Sequence, residues 1–362
     1  MKPTARLHEL GQSLWLDNIT RTMLDDGTLA GYIGELSVTG LTSNPTIFDK
    51  AISKGDAYDE QIGELAAAGL EGEALFFELA LADLRRAAEL FEPVNSRTGG
   101  VDGWVSLEVS PLLADDAERT LAEARDLHGR AAPNTLIKIP GTEAGRAAIE
   151  EAIFEGIPIN VTLLFSSEQY LGAAEAFMRG LERRIEAGLN PVVPSVASLF
   201  MSRWDVAVAG DVPAELHNRL GIAVGGRAYA AYRNLLASQR WLRLANEGAR
   251  PQRLLWASTG TKDPEASDVL YVEALASPFT VNTMPENTLL AFGDHGEPGD
   301  TVPEDGAEAE EVLAAFAGAG IDVGALAARL QQEGKDAFVA SWRELLGTIA
   351  EQRGQVAQPA GG

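Results

Sequence analysis

The sequence predicts a (β/α)8 barrel with additional C-terminal helices. Short β-branched or apolar runs recur along the 362 residues, and each is followed by a stretch of helical periodicity or by a loop-rich insertion. Such alternation is typical of parallel βαβ units, and strands that are apolar almost throughout suit a sheet covered on both faces. Eight strands over this length favour a closed barrel. The runs lie near residues 13–18, 36–42, 104–109, 135–140, 158–164, 193–200, 253–259 and 279–283.

Amphipathic segments separate these runs. Apolar residues at i, i+3 and i+4 with charged residues opposite predict helices over 71–92, 143–156 and 166–188. The apolar face of the first segment, with Phe76 and Phe77, is interpreted as core packing, because apolar stripes are usual in barrel helices.

The C-terminal region is predicted to add helices to a single domain that spans residues 1–362. A Gly- and Pro-rich loop with an acidic helix start follows residue 300, and the helices are predicted over about 304–352, packed outside the barrel. The last residues, 354–362, are predicted to be a disordered tail.

A doubly wound open sheet is the competing architecture, because alternation of strands and helices does not by itself show closure. The sequence lacks the motif that would favour it. No G-x-G-x-x-G follows the first strand, and GGVDGW (99–104) leads into a strand without opening a helix.

Composition and charge exclude several classes of function. Acidic residues outnumber basic ones 53 to 29, and no stripe of Lys and Arg interleaved with aromatic residues occurs, which argues against nucleic acid and anionic membrane as partners. A phosphorylated small substrate remains compatible, because a few local cations outweigh a distant field beyond the Debye length of ~8 Å. With no cysteine, thiol nucleophiles and Cys-ligated metals are excluded.

The N-terminal segment and the hydropathy predict a cytoplasmic protein. No run of about 18 apolar residues occurs, and the N-terminus lacks the apolar segment of a secretion signal. A homo-oligomer is compatible with the sequence, which leaves quaternary structure open.

The stretch TLIKIPGT (135–142) carries a lysine in the middle of an apolar strand. Of six lysines only Lys138 lies between two isoleucines. Burial disfavours a charged amine, and a neutral amine is a nucleophile. Such an amine would attack a ketone to give a carbinolamine and then a Schiff base, which permits cleavage of the neighbouring carbon–carbon bond.

Two carboxylates stand in comparable apolar strands. Asp17 in LWLDN and Glu108 in VSLEVSP are candidates for the proton transfers that carbinolamine dehydration and retro-aldol cleavage require. A buried structural ion network of these groups with Lys138 is the alternative interpretation. Two carboxylates with an asparagine could also bind Mg²⁺, but the lysine would compete for the same space, and no metal site is predicted.

Polar residues near the exits of the other strands complete the candidate set, because working residues of such barrels lie at the carboxyl ends of strands. They are Thr42, Ser43, Asn44, Ser110, Asn160, Thr162, Ser195, Ser198, Ser258, Thr259, Asn282 and Thr283.

In order and spacing, the motifs LWLDN, GLTSNPTIF, VSLEVSP, TLIKIPGTEAG, INVTLLFS and SVASLFMSRWD resemble those of the transaldolase family through most of residues 13–293. The resemblance implies a Schiff base on Lys138, Asp17 as general acid/base, and Glu108 acting with Thr162 through a water. It also implies that Asn44 and Asn160 hold a dihydroxyacetone unit. A further match is Ser198, the family's sixth-strand serine.

The implied reaction transfers a dihydroxyacetone unit from sedoheptulose 7-phosphate to glyceraldehyde 3-phosphate, giving erythrose 4-phosphate and fructose 6-phosphate, with no cofactor or metal. Two residues favour this activity over that of the related fructose 6-phosphate aldolases. Those enzymes are similar to each other in carrying glutamine at the position of Glu108 and tyrosine at that of Phe200. A phenylalanine cannot place a water as a tyrosine hydroxyl can.

The phosphate site departs from the family pattern. Arg203 matches a phosphate-binding arginine, and a guanidinium suits bidentate binding of phosphate. A second arginine, which in many relatives follows the seventh-strand serine by two residues, is replaced by Gly260. We expect Lys262 to substitute for it beside Ser258.

Two rival functions stay open. One is an aldolase that releases free dihydroxyacetone or acts on another sugar phosphate, and the other is a non-catalytic barrel that binds sugar phosphates.

Overall fold

In the computed structural model, which describes residues 1–356, eight parallel strands close into a barrel in chain order. Each strand overlaps one of the predicted runs, and the predicted (β/α)8 class is confirmed. The strands are β1 (Gln12–Asp17), β2 (Val38–Thr42), β3 (Trp104–Glu108), β4 (Thr135–Pro140), β5 (Ile159–Leu164), β6 (Ser195–Phe200), β7 (Arg253–Ala257) and β8 (Thr280–Met284).

Burial of the strands on both faces explains their composition. Every residue of β2 through β6 and of β8 is buried, because one face points into the barrel and the other packs under the helices. The polar residues within these strands are therefore buried as well, and they interrupt an otherwise apolar interior.

The helices surround the barrel between consecutive strands. In residues 1–356 they are α1 (Pro3–Glu9), α2 (Arg21–Asp25), α3 (Thr28–Glu35), α4 (Pro45–Ser53), α5 (Asp59–Ala67), α6 (Gly72–Arg97), α7 (Ala117–Arg130), α8 (Glu143–Glu155), α9 (Ser167–Glu186), α10 (Ser202–Val208), α11 (Leu220–Ala237), α12 (Gln239–Asn246), α13 (Leu270–Ala274), α14 (Glu286–His295), α15 (Ala307–Gly318) and α16 (Val323–Val356). Short 3₁₀ turns lie at Pro111–Leu113 and Ala214–Leu216.

Capping side chains start the helices that follow three of the strands. Asn44, Thr142 and Ser166 accept hydrogen bonds from backbone N–H groups in the first turns of α4, α8 and α9. Each satisfies a donor that would otherwise lack a partner at the helix start. The chain therefore passes from strand to helix within a few residues at the carboxyl end of the barrel, where the polar residues at the strand ends also lie.

The sequence predicts C-terminal helices outside the barrel but does not specify which elements they contact. Helix α15 packs outside the barrel against α11, as predicted, but α16 packs against α4, α5 and α6 and reaches β5. The Gln331 amide contacts backbone carbonyls at the ends of β4 and β5, and Lys335 pairs with Asp115 in the loop after β3. Helix α16 thus crosses the carboxyl end of the barrel.

An aromatic cluster anchors α16. Trp342 is buried, and its ring packs edge-on against Phe76 at 4.9 Å and tilted against Phe77 at 5.7 Å. Its indole N–H donates to Glu73 at 2.7 Å. The apolar face of the segment 71–92 is accordingly covered by this chain's own helix.

Helix α16 extends to Val356, so residues 354–356 of the predicted tail are helical, and residues 357–362 lie outside the described residues. In the described part of the chain no single helix is both long and apolar enough to cross a membrane. Helices α15 and α16, bent by 90° at their junction, meet that length and composition test only together.

Candidate active site

Lys138 lies at the centre of a row of functional groups that crosses three neighbouring strands. In the sheet register, Lys138 on β4 is paired with Glu108 on β3 and with Asn160 on β5. Because side chains at paired positions of a parallel sheet point to the same face, the three project together into the barrel interior. This places an amine, a carboxylate and an amide side by side.

The Lys138 ammonium is held by two oxygens. Nζ donates to the backbone carbonyl of Ser43 at 3.1 Å and lies 3.1 Å from Oε2 of Glu108. The side chains of Lys138 and Glu108 are only 7% and 4% exposed, so the pair is shielded from water on nearly all sides. The arrangement is an ion pair in a low-dielectric site.

The carboxylate of Glu108 is poorly satisfied apart from this ion pair. Within residues 1–356 no group donates a well-aligned hydrogen bond to either of its oxygens, and the buried hydroxyl of Thr162 also lacks a partner. Burial raises the pKa of Glu108, the Lys138 charge partly offsets that effect, and the Asp17 charge adds to it. Unpartnered buried polar groups are places where a water or a reacting group can bind.

Asp17 is oriented by a chain of hydroxyls at the end of β1. Thr42 donates its one hydroxyl hydrogen to Oδ1 of Asp17 at 3.0 Å, so Thr283, 2.8 Å from the Thr42 oxygen, donates to Thr42 in turn. Burial raises the pKa of Asp17, and the Lys138 charge and hydrogen bonds from Thr42 and Asn44 oppose the increase. The oxygen of the Asn44 side chain is already used to cap α4, accepting from Ile47 at 3.1 Å.

The Asn160 amide is fixed from both sides. Ser198 donates to its Oδ1 at 2.7 Å, and its Nδ2 donates to the Ser106 hydroxyl at 3.1 Å. Ser198 therefore orients Asn160. Sequence reasoning missed Ser106, although it precedes Glu108 by two residues, and strand alternation puts residues two apart on one face.

A β-bulge shapes the end of β5. Pairing with β6 shifts register between Val161 and Leu164, and Leu163 adopts a left-handed backbone conformation with φ 59°. The carbonyl of Thr162 accepts from the Gly141 N–H at 2.7 Å. Bulges re-aim side chains next to active sites, and this one includes Thr162.

A pocket lies beside the carboxyl ends of β6 and β7. It has a volume of ≈ 520 Å³, and its lining includes Arg203, Ser258, Lys262 and Glu333. The Ser258 hydroxyl lies 2.9 Å from that of Ser202, and Ser258 itself has φ 56°. The pocket brings together the predicted phosphate-binding residues.

The Arg203 guanidinium lies over the Phe200 ring, 5.5 Å from its centroid, and Phe200 packs on Phe165 at 5.3 Å. Burial lowers the pKa of Arg203, and the nearby charge of Glu333 partly offsets this. In the described part of the chain the guanidinium forms no ion pair with a carboxylate. A half-buried cation of this kind is suited to bind an anion.

Gly260 occupies the position at which the family resemblance predicted a second arginine. A Cβ there would lie 3.2 Å from Pro285 and 3.3 Å from the Thr288 hydroxyl, so the backbone packs tightly at this point. Lys262 is exposed and faces the pocket from the same loop. A cation can thus reach the pocket without a side chain at position 260.

The residues to which the family resemblance assigns a role lie inside the barrel beside Lys138, at the carboxyl ends of the strands, or in the pocket beside β6 and β7. The prediction that Ser195 lies at a strand exit was wrong, because Ser195 is the first residue of β6. Residues contributed by α16, Gln331 and Glu333, were not identified from the sequence, because nothing local indicates where a C-terminal helix docks. Among residues 1–356 no group of three or more His, Asp or Glu side chains is arranged to hold a metal ion.

Comparisons with known proteins identify the family of this chain. The profile of the transaldolase/fructose-6-phosphate aldolase family matches residues 14–349. A transaldolase of Thermobifida fusca is 47% identical over 97% of this chain and 98% of its own length. A transaldolase of Frankia alni is 46% identical, with 98% of each chain covered, and one of Mycolicibacterium smegmatis is 44% identical over 94% of this chain and 95% of its own. The chain therefore belongs to the transaldolase/fructose-6-phosphate aldolase family.

Proposed function

We propose that this protein is a transaldolase, which moves a dihydroxyacetone unit from sedoheptulose 7-phosphate to glyceraldehyde 3-phosphate through a Schiff base on Lys138. The observation that carries the proposal is the buried Lys138 amine 3.1 Å from the carboxylate of Glu108, whose oxygens receive no aligned hydrogen bond within residues 1–356. The curated relatives named transaldolase, similar to this chain over nearly its whole length, support the same reaction.

The first step forms the Schiff base. The Lys138 amine, having lost its proton, attacks the C2 carbonyl of the ketose, and the carbonyl oxygen gains a proton to become the carbinolamine hydroxyl. Glu108 and a water held between it and Thr162 move these protons, and the hydroxyl leaves as water. The products are an iminium ion on Lys138 and one released water.

The second step cleaves the C3–C4 bond. Asp17 takes the proton of the C4 hydroxyl, the C4 oxygen becomes a carbonyl, and the bonding electrons pass into the iminium to give an enamine. Erythrose 4-phosphate then leaves. The buried carboxylate with its raised pKa suits a group that accepts this proton and later returns it.

Transfer reverses the cleavage with a new aldehyde. The enamine carbon attacks the carbonyl carbon of glyceraldehyde 3-phosphate, Asp17 returns its proton to the oxygen, and hydrolysis of the iminium releases fructose 6-phosphate and Lys138. Asn44 and Asn160 are proposed to hold the dihydroxyacetone hydroxyls, with Ser198 orienting Asn160.

Phe200 favours transfer over release of free dihydroxyacetone. It is 7% exposed and packs on Phe165, and its ring has no hydroxyl with which to hold a water beside the enamine. Without a fixed water, protonation of the carbanion competes less well with addition to an aldehyde.

The substrate phosphate is proposed to bind in the ≈ 520 Å³ pocket. Arg203 supplies a guanidinium that can donate two parallel hydrogen bonds, Ser258 a hydroxyl, and Lys262 a point charge in place of the missing arginine. Cytoplasmic location, the absence of nucleic-acid and membrane partners, and a possible homo-oligomer stay predictions from the sequence.

Borohydride trapping with fructose 6-phosphate tests the proposal, because reduction converts a Schiff base into a permanent adduct. Intact mass and peptide mapping of the wild type should show a three-carbon adduct on Lys138. Lys138→Met should show none, while Lys50→Met, at an exposed lysine on α4, should be labelled like the wild type.

Other outcomes favour the rivals. A six-carbon adduct on Lys138 without a three-carbon adduct would support Lys138 as the nucleophile but would contradict cleavage of the C3–C4 bond. Equal release of dihydroxyacetone with and without an acceptor aldehyde would favour the aldolase. Absence of any adduct in folded protein, with ligand affinity retained in Lys138→Met, would favour a binding protein.

A further inference from the structure

We infer that Gln331 on α16 is a positioning residue for Thr162, an inference that rests on the role proposed above for Thr162. Gln331 Nε2 donates to the Leu163 carbonyl at 2.9 Å and approaches the Gly141 carbonyl at 3.5 Å. One amide group from the last helix therefore joins the carboxyl ends of β4 and β5, the two strands that carry Lys138 and Thr162.

The carbonyl of Leu163 needs this partner because of the β-bulge. Leu163 is buried, its backbone is left-handed, and the register of β5 with β6 shifts at this point. A buried carbonyl outside the regular ladder requires a hydrogen bond from elsewhere. Gln331 supplies a donor from 168 residues further along the chain.

The bulge controls the Thr162 hydroxyl directly. Because this hydroxyl has no hydrogen-bond partner in the described part of the chain, its direction depends on the backbone that carries it. The peptide that follows Thr162 is held at the Thr162 carbonyl by Gly141 and one residue later by Gln331. Rotation of that peptide would change the direction of the Thr162 hydroxyl.

Helix α16 is held in place by contacts that do not involve Gln331. Trp342 is buried among aromatic rings and bonded to Glu73, and Lys335 pairs with Asp115 at 2.8 Å. Close approach of the helix to β5 is permitted by Gly334, where a Cβ would lie 3.0 Å from Leu163. Substitution of Gln331 should therefore leave α16 docked while removing the donors.

The test compares Gln331→Met, which keeps a similar side-chain length without a donor, with Gln332→Met. Gln332 is the same residue type at the next position, is exposed, and donates to Asp336 on its own helix. The measurement is the rate at which the borohydride-trapped adduct of fructose 6-phosphate forms in a single turnover, together with the dissociation constant and the unfolding temperature.

We expect Gln331→Met to form the adduct about 10- to 100-fold more slowly, because a displacement of about 1 Å can cost that much in rate. Affinity and unfolding temperature should stay close to those of the wild type, and Gln332→Met should match the wild type in all three. Gln331→Lys, which retains N–H donors, should be faster than Gln331→Met.

Thr162→Val, measured in parallel, separates the role of Gln331 from the role proposed for Thr162. If Thr162→Val is slow and Gln331→Met is as fast as the wild type, the inference about Gln331 is overturned and the proposed function stands. If Thr162→Val itself reacts at the wild-type rate, Thr162 has no role and the inference falls with it. If Gln331→Met also binds fructose 6-phosphate more weakly and unfolds at a lower temperature than the wild type, the residue has a structural role, and the inference is again overturned.

Discussion

Nζ of Lys138 lies 3.1 Å from Oε2 of Glu108, on the neighbouring strand and in register with it. Both side chains are buried, yet in the described residues the carboxylate receives no aligned hydrogen bond. A buried ion pair with unsatisfied lone pairs is weak evidence for a stabilising role. The Lys138–Glu108 ion pair therefore favours a catalytic role for these residues over the alternative of a purely structural ion network.

Glu108→Gln should lower kcat for transfer by about 10²- to 10⁴-fold, because it removes a group that moves protons during carbinolamine formation and dehydration. The shape of the side chain is retained, so the barrel should stay folded. The measurement is the initial rate of transfer alongside the unfolding temperature. Glu89→Gln, at an exposed position on α6, serves as the control. Wild-type rates in Glu108→Gln would contradict the assignment.

Thr42→Val should move the acidic limb of the kcat/KM profile to higher pH. Burial raises the pKa of Asp17, and the Thr42 hydrogen bond opposes that increase by stabilising the carboxylate. Without the hydroxyl the pKa rises further, so a higher pH is required to generate the carboxylate that accepts the C4 proton.

The pH–rate profile of Thr42→Val would be compared with that of Thr46→Val, whose exposed hydroxyl donates to Ser341 on α16. A limb that stays in place in Thr42→Val would show that Asp17 does not determine it.

Arg203→Met should reduce kcat/KM for fructose 6-phosphate by about 10- to 100-fold, since hydrogen bonds to a charged group are worth about 1.5–3 kcal/mol. Lys262→Met should have a smaller effect, because its ammonium is exposed and acts as a point charge. Reaction with unphosphorylated fructose should change little in either variant. Equal losses with both substrates would argue against a phosphate site, and Arg343→Met, at an exposed position on α16, is the control.

Glu123 on α7 should make stability depend on pH near neutrality. Burial raises the pKa of Glu123 from 4.5 to about 7, and its carboxylate accepts from the Ser110 N–H, two residues beyond Glu108. A raised pKa means that the folded protein holds the proton more tightly than the unfolded chain does. The stability this group contributes is therefore complete below pH 4.5 and is lost as the pH rises through about 7.

Glu123→Gln, which stays neutral and can still accept from Ser110, should consequently be more stable than the wild type at pH 8, by about 1–3 kcal/mol, with little gain at pH 5. Denaturant unfolding at the two pH values measures the difference, with Glu89→Gln, at an exposed position on α6, as the control. A gain of equal size at both pH values would exclude titration of Glu123 as the cause.

Much of the site could be predicted because its signals are local. A lysine between isoleucines, a carboxylate in each of two apolar strands, and polar residues at strand exits are visible in short stretches. Strand alternation then indicates which of them share a face. The place of Ser198 behind Asn160 could not be predicted, since the motif shows only that both residues lie near strand ends.

The sequence by itself determined the eight-stranded barrel, the nucleophile candidate and the family, because periodicity and residue type act over a few positions and the motifs recur in order. Only the tertiary structure decided that α16 crosses the carboxyl end of the barrel, that Gln331 bonds to the Leu163 carbonyl, and that Glu333 and Arg203 line the same pocket. These contacts join residues more than 100 positions apart. They depend on how an amphipathic helix buries Trp342 against α6, which no local pattern specifies.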